Sequence, residues 1–158
     1  MKKLVTALAL MIATTVCAGD FEDAVAAHDI GDFKAAVSSM KKAAAQGDSR
    51  AQYNLALMYK NGEGVVQDYA EAARWYKLSA AQGYLDAQYN LAVMYNRGDG
   101  VVQNYKKAHM WWNLVAVNGN DDAVKNREMV AKKMTAQQVG EAQKMATKCM
   151  ANKFKDCD

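Results

Sequence analysis

The stretch Ala51-Gln-Tyr-Asn-Leu-Ala-Leu-Met-Tyr59 returns 36 positions later as Ala87-Gln-Tyr-Asn-Leu-Ala-Val-Met-Tyr95. A second stretch repeats at the same interval: Gly-Glu-Gly-Val-Val-Gln-Asp-Tyr at 62–69 returns as Gly-Asp-Gly-Val-Val-Gln-Asn-Tyr at 98–105. A fixed period of this length is typical of solenoids, in which each unit buries its apolar face against the next. The sequence therefore predicts two stacked units, over 51–86 and 87–122.

Each unit is predicted to contain two helices, A and B, joined by a loop. In the first unit, helix A extends from about Ser49 to Lys60, where apolar residues recur at helical spacing. Gly62 supplies the left-handed position that ends this helix, and Gly64 permits a tight turn. The stripe that helix A must bury consists of Ala51, Leu55, Met58 and Tyr59.

Helix B of the first unit is predicted to begin at Asp68, whose carboxylate accepts the free amides of the first turn while Glu71 reaches back to the cap. In the second unit Asp86 and Asn104 are the predicted caps. The predicted packing stripes of the two B helices are Ala72, Trp75, Tyr76 and Ala80, then Ala108, Trp111, Trp112 and Ala116.

Both ends of the repeat region depart from the full unit. Residues 19–50 contain a shortened repeat that lacks the Gly-x-Gly-Val loop, and 123–158 are predicted to form capping helices, the last opened by a capping box at Thr135. The apolar face of this cap is predicted to consist of Met129, Val139, Ala142, Met145 and Ala146.

The first 18 residues have the pattern of a secretory signal peptide. Lys2 and Lys3 precede an apolar run that is too short to span a bilayer, and a small-residue cleavage site ends at Ala18. The mature chain would begin at Gly19 in the periplasm or outside the cell. A lipid anchor on Cys17 is the alternative, although Val16 stands where a small residue is expected.

Charge and composition limit the classes of partner. Removal of the signal peptide lowers the formal charge from +3 to +1, which disfavours a nucleic-acid binder. The charge is uneven, because 123–155 carries eight basic and two acidic residues, whereas 19–122 carries ten basic and thirteen acidic residues. We expect one end of the rod to be positive, either as a solvated helix face or as an anion-binding patch.

Two cysteines remain after signal cleavage. Cys149 and Cys157 are expected to form a disulfide, because an exported chain with an even number of cysteines usually pairs them. Closing so short a loop would stabilise the carboxyl-terminal end by about 2–3 kcal/mol. The alternative is that the two cysteines bind zinc, but neither His28 nor His109 is spaced to join them as a ligand. We therefore predict no metal site and no cofactor.

The repeat pattern resembles the Sel-one-like repeat (SLR) family, relatives of the tetratricopeptide repeats. The pattern has three parts: Ala-x-x-x-Leu-(Gly/Ala)-x-(Met/Leu)-Tyr, then Gly-x-Gly-Val-x-x-(Asp/Asn)-Tyr-x-x-Ala-x-x-Trp-(Tyr/Trp), then Ala-Ala-x-Gly. It is complete at 51–83. At 87–119 it is nearly complete, with Val117 in place of one alanine. The resemblance implies an all-α fold: a right-handed superhelical solenoid of antiparallel helix pairs, here with a C-terminal helical cap.

The resemblance also implies a function. Similar proteins are adaptors that bind a protein or peptide partner on a concave surface lined by the A helices, so we expect a non-catalytic, monomeric binding scaffold of the bacterial envelope that acts as a regulator, adaptor or toxin-immunity protein. The concave candidates are Asn54, Lys60, Asn90 and Asn96. The alternative for Asn54 and Asn90 is that they bond neighbouring loops and hold the repeats together.

Two other functions remain open. Ser-x-x-Lys, the nucleophile motif of penicillin-recognising enzymes, occurs as Ser38 with Lys41 and as Ser39 with Lys42, but the other motifs of those enzymes do not follow. The chain could instead be a structural component of an envelope assembly.

Overall fold

The structure, a computed structural model, describes residues 19–155 and 157. This part of the chain forms helices joined by turns and contains no strand. The predicted signal peptide, with Cys17, lies outside the described residues. The helices are α1 over 19–29, α2 Phe33–Ala45, α3 Ser49–Asn61, α4 Tyr69–Ala80, α5 Leu85–Arg97, α6 Tyr105–Ala116, α7 Asp121–Ala131 and α8 Ala136–Ala151.

Helices that follow one another along the chain pack side by side, so that α2 to α7 form one continuous stack, while α8 packs on α6. The prediction of an all-α solenoid of antiparallel helix pairs is confirmed. Of the A helices, α1 belongs to the shortened first unit, α3 and α5 to the two complete units, and α7 to the cap. We call the surface that these four helices form together the A-helix face.

The two B helices, α4 and α6, provide the centre of the core. Ala72, Tyr76 and Ala80 of α4 and Ala108 of α6 are fully buried, and Trp111 and Trp112 of α6 are almost fully buried. Trp75 and Ala116 are half-buried. Small residues at these positions let neighbouring helices approach closely, and the aromatic rings fill the space between units.

The glycines of the loop between helices A and B have two different tasks. Gly62 and Gly98 end α3 and α5 with φ of 76° and 83°, a conformation that residues with a Cβ rarely adopt. Gly64 lies directly against the Phe33 carbonyl group of the preceding unit, which an added Cβ would overlap. Gly100 makes the same approach to the start of α4. The first glycine of the Gly-x-Gly motif therefore ends helix A, and the second lets the loop pack closely against the preceding unit.

Most predicted caps are present, and two details are wrong. Asp68 accepts hydrogen bonds from the Ala70 and Glu71 amides, but the Glu71 carboxylate bonds the Arg74 guanidinium instead of reaching back. Asp86 is not a cap, because α5 begins at Leu85 and its N-cap is Tyr84, which makes no side-chain cap bond.

The carboxyl-terminal cap is held by local bonds and by a disulfide. Thr135 and Gln138 form the predicted capping box at the start of α8, and Cys149 and Cys157 are joined, with their Cα atoms 5.0 Å apart. The chain between them turns back, so that the Phe154 ring contacts the loop between α4 and α5.

Met129 does not cover the final apolar face as predicted. It is 56% exposed, because α8 packs on α6 and leaves the side of α7 that carries Met129 uncovered. The other predicted members of this face are buried or half-buried; they are Val139, Ala142, Met145 and Ala146. Among the described helices, none has both the length and the apolar character that crossing a bilayer requires.

Candidate functional site

Two pockets open between successive A helices, each with a B helix as its floor. Pocket N, about 160 Å³, lies between α1 and α3, and pocket C, about 170 Å³, lies between α5 and α7. Pocket N is lined by Val25, His28, Met40, Asn54, Met58 and Glu63. Pocket C is lined by Asn96, Trp112, Asn126, Met129, Val130 and Lys133.

The two pockets occupy equivalent positions two repeat units apart. The floor residue Met40 corresponds to Trp112, and on the second A helix Asn54 corresponds to Asn126. Met58 and Val130 are equivalent in the same way. The solenoid therefore builds one kind of concavity twice, with an apolar floor and an amide at the rim.

At the equivalent position of the middle unit, Tyr76 fills the floor. Its side chain is fully buried, and its ring centroid lies 5.8 Å from that of Tyr53, which in turn lies 5.1 Å from Tyr84. Burial raises the pKa of Tyr76 far above its ordinary value of 10.0, and its hydroxyl has no hydrogen-bond partner among the described residues. The middle unit is thus packed with aromatic rings.

Tyrosine–asparagine pairs connect successive A helices. Asn126 donates from Nδ2 to the Tyr89 hydroxyl at 2.7 Å, and Asn90 forms the equivalent hydrogen bond with Tyr53. Asn90 Nδ2 also donates to the Asp86 carbonyl oxygen of its own helix. Asn90 therefore joins α5 to α3, rather than to a neighbouring loop.

Asn54 differs from these two asparagines because the preceding unit offers it no tyrosine. Counted back from the glycine that ends each A helix, the position of Tyr53 in α3 corresponds to Glu22 in α1. Glu22 Oε1 lies 3.8 Å from the Arg50 guanidinium. Among the described residues, Asn54 donates only to the Arg50 carbonyl oxygen of its own helix, at 2.9 Å, and its amide lines pocket N.

Lys60 and Asn96 are equivalent residues near the ends of α3 and α5. Their carbonyl oxygens accept hydrogen bonds of 2.8 Å from the amides of Gln67 and Gln103 respectively, which secure the loops. Both side chains are half-buried, and that of Asn96 lines pocket C. The structure thus brings Asn96 to one pocket and Asn54 to the other.

The rims of the two pockets differ in charge. In pocket N the His28 imidazole lies 3.4 Å from the Glu63 carboxylate. Pocket C carries Lys133, whose ammonium group lies 5.2 Å from the centroid of the Tyr105 ring. Sequence reasoning missed His28, Glu63, Asn126 and Lys133 as pocket residues, because the contacts between successive A helices have no signal within one helix.

Of the residues considered for chemistry, His28 lines pocket N, whereas Ser38, Ser39 and His109 line neither pocket. Ser38 is exposed and Ser39 half-buried on α2, and the Lys41 ammonium lies 5.6 Å from the centroid of the Tyr59 ring. His109 is buried in α6, where desolvation and the nearby Arg127 lower its pKa. No cluster of three side chains suited to metal binding occurs in the described residues.

The repeat model of one family matches most of this architecture. Three Sel1 repeats match residues 32–48, 49–84 and 85–119. The chain therefore belongs to the Sel1 repeat family. Members of this family are helical scaffolds for protein–protein interaction, and the fold described above is of that kind.

Solved structures of other Sel1 repeat proteins are similar to this chain. The protective antigen c5321 of uropathogenic Escherichia coli, which displays an SLR fold, has 29% identity and a TM-score of 0.81 over 89% of this chain and 31% of its own. A Sel1 repeat protein of Oxalobacter formigenes has 41% identity and a TM-score of 0.56 over 58% of this chain and 26% of its own.

Cysteine-rich protein B of Helicobacter pylori has 26% identity and a TM-score of 0.54 over 57% of this chain and 68% of its own. The chain thus spans about a third of the length of c5321 and about a quarter of the Oxalobacter protein. Comparison with curated proteins gave no match.

Proposed function

We propose that this protein is an exported, monomeric, non-catalytic scaffold of the bacterial envelope that binds a protein or peptide partner on its A-helix face. The observation that supports this most directly is the pair of equivalent pockets, N and C, which open on that face. A surface with repeated concavities suits a chain-like partner better than a single small molecule.

The construction of the face favours binding with little loss of order. The Tyr53–Asn90 and Tyr89–Asn126 bonds tie α3, α5 and α7 together. A surface that is already held in place loses less conformational entropy when a partner docks. Asn54 adds a rim amide that has both a donor and an acceptor for a partner's backbone.

Export is supported by the sequence of 1–18 and by the disulfide. A bond between Cys149 and Cys157 persists in an oxidising compartment such as the periplasm. The similar protein c5321 is described as a protective antigen. Amino-terminal sequencing of the protein from a periplasmic fraction should begin at Gly19; an uncleaved chain in the cytoplasm would contradict the proposed location.

Site-specific crosslinking tests the binding face. The photoreactive residue p-benzoylphenylalanine is placed at Asn54 or Asn96, on the two pocket rims, and in a control at Leu78, which is 42% exposed on α4 outside both pockets. Irradiation of living cells should give the same crosslinked partner from both rim positions, identified by mass spectrometry.

The control decides what a crosslink means. If Leu78 gives the same product with equal yield, contact is not confined to the A-helix face and the proposed binding surface is wrong. A product of twice the mass of this chain would show self-association, which contradicts the proposed monomer.

A further inference from the structure

The two pockets also restrict what kind of segment the A-helix face can hold. Resting on the proposed function, we propose that the occupant is an extended protein segment with two large apolar side chains six residues apart, one for each pocket, and with an acidic residue beside the side chain that enters pocket C. The size, the spacing and the charge of the pockets each support one part of this statement.

Each pocket has room for one large apolar side chain. A cavity of about 150 Å³ lined by apolar residues holds a benzene molecule, and pockets N and C measure about 160 and 170 Å³. Their walls are mostly apolar: Val25, Met40 and Met58 in pocket N, and Trp112, Met129 and Val130 in pocket C. A leucine or phenylalanine side chain fits this description.

The distance between the pockets sets the spacing of the two side chains. Side-chain hydrogen bonds such as that of Asn126 with Tyr89 join successive A helices. Helices in contact lie about 8–10 Å apart, so pockets that are two A helices apart are separated by about 20 Å. An extended chain advances about 3.3 Å per residue and alternates its side chains between two faces. Six residues cover about this distance and return the second side chain to the same face.

The middle unit suits the segment between the two anchors. Tyr76 is fully buried where the other units have their pocket floors, and Tyr53 and Asn90 close the surface above it. We therefore expect small or polar residues between the anchors.

The rim charges give the segment a direction. Lys133 lies at the rim of pocket C. It belongs to the segment 123–155, which carries eight basic and two acidic residues. Pocket N has the Glu63 carboxylate at its rim, beside His28. An acidic residue of the partner is favoured beside pocket C and repelled by Glu63 at the other end, so the segment docks in one orientation.

Synthetic peptides test the spacing with the purified mature chain. Fluorescein-labelled peptides of serine and threonine carry two leucines separated by four, six or eight positions, with a glutamate next to the second leucine, and binding is followed by fluorescence anisotropy. We expect the six-residue spacing to bind about ten-fold or more tightly than the others, since only it buries both leucines. Equal affinities, a different optimum or no binding would overturn the proposal.

A variant in each pocket checks which leucine goes where. Val25→Phe fills pocket N and should remove the advantage of the two-leucine peptide while leaving a peptide with only the second leucine unaffected. Val66→Phe, on a loop side chain that is 88% exposed, is the matched control and should change neither. Equal loss for both peptides with Val25→Phe would contradict the assignment.

Reversal of charge tests the direction. Lys133→Glu should weaken the glutamate peptide several-fold at low salt and strengthen the same peptide with lysine in place of glutamate. Lys132→Glu makes the same change of net charge on an adjacent residue that does not line the pocket, and should do much less. Equal effects of the two variants would show that the general field of the protein, and not Lys133, attracts the glutamate, and would overturn the proposed place of the acidic residue beside pocket C.

The outcomes separate this inference from the proposed function. If crosslinking identifies a partner at Asn54 and Asn96 but no peptide shows the six-residue preference, the scaffold function stands and the extended two-anchor occupant is wrong. If the rim positions give no partner either, both proposals fail.

Discussion

The two complete units, α3–α4 and α5–α6, have nearly the same sequence but satisfy their buried polar groups differently. In the first unit, Gln52 donates to the Ala44 carbonyl oxygen and accepts a hydrogen bond of 2.8 Å from Gln82. In the second, Gln88 makes the equivalent donation, but its Oε1 atom has no partner among the described residues.

The difference arises from one methylene group. The residue equivalent to Gln82 in the second unit is Asn118, whose shorter side chain donates to the Leu114 carbonyl oxygen of its own helix. The second unit also has fewer hydrogen bonds at the start of its helix A: Asp48 caps α3 with its carboxylate, whereas Tyr84 precedes α5 without a cap bond. Repeated backbone geometry thus tolerates different hydrogen bonding in neighbouring units.

The largest expected effect lies in the feature that the two units share. Gly64→Ala and Gly100→Ala should each lower the free energy of unfolding by several kcal/mol, because each adds a Cβ at positive φ against backbone of the preceding unit. Thermal denaturation would measure both. Gly140→Ala, in open space within α8, should not destabilise; a similar loss there would mean that the loop contact is not the cause.

The unequal helix starts predict a smaller difference. Asp48→Ala removes the bonds that the Arg50 and Ala51 amides donate to the carboxylate, and should cost about 1–2 kcal/mol. Tyr84→Phe at the equivalent position should cost much less, because Tyr84 has no side-chain cap bond to lose. Urea denaturation compares the two; equal losses would show that the cap of α3 does not distinguish the units.

A reciprocal exchange tests the buried amides. Asn118→Gln should give Gln88 the partner that Gln52 has, and raise the free energy of unfolding by about 1 kcal/mol. Gln82→Asn should orphan Gln52 and lower it by about the same amount. Chemical denaturation of both variants measures the changes. If both move stability in the same direction, the missing bond is not what separates the units.

The smallest effect concerns His109, which stands where the first unit has Ala73. Burial and Arg127 lower the pKa of His109 below its ordinary 6.5, so the unfolded chain takes up the proton first as the pH falls. Stability is therefore full above about pH 6.5 and declines as the pH falls through the folded-state pKa. His109→Ala should flatten the dependence of Tm on pH between 7 and 5; an unchanged slope would exclude His109 as its source.

Lower pH values involve other groups. Although partial burial opposes it, hydrogen bonds from Arg50 and the backbone lower the pKa of Asp48 below 3.8, and a bond from Lys106 lowers that of Glu141 below 4.5. These carboxylates titrate below the window that tests His109.

The sequence predicts the fold because period, helix-ending glycines and apolar spacing all agree. The sequence does not predict the role of a side chain where that role depends on which other residue lies next to it. Asp86 has the chemistry of a cap but lies two residues too late, because Tyr84 takes the place that Asp48 has in the previous unit. Glu71 has the spacing of a capping box, yet the Arg74 side chain is available and takes its carboxylate.

The candidate site could be predicted only in part. Asn54 and Asn96 were predicted from their places on helix A, and both line pockets. The role of Asn90 depends on Tyr53, a residue 37 positions earlier, and the absence of such a tyrosine before Asn54 depends on how α1 is shortened. These pairings form when the helices stack, so the sequence of a single helix does not predict them.

The contact between Phe154 and the turn at Gly83 joins residues 71 positions apart, in a fold whose units otherwise meet their neighbours along the chain. Proteins built from such local contacts can assemble progressively as the chain emerges, since little loop closure is required. This contact instead has to wait for the last part of the polypeptide and is secured by the adjacent disulfide. The middle of the stack is thereby completed by the last residues of the chain.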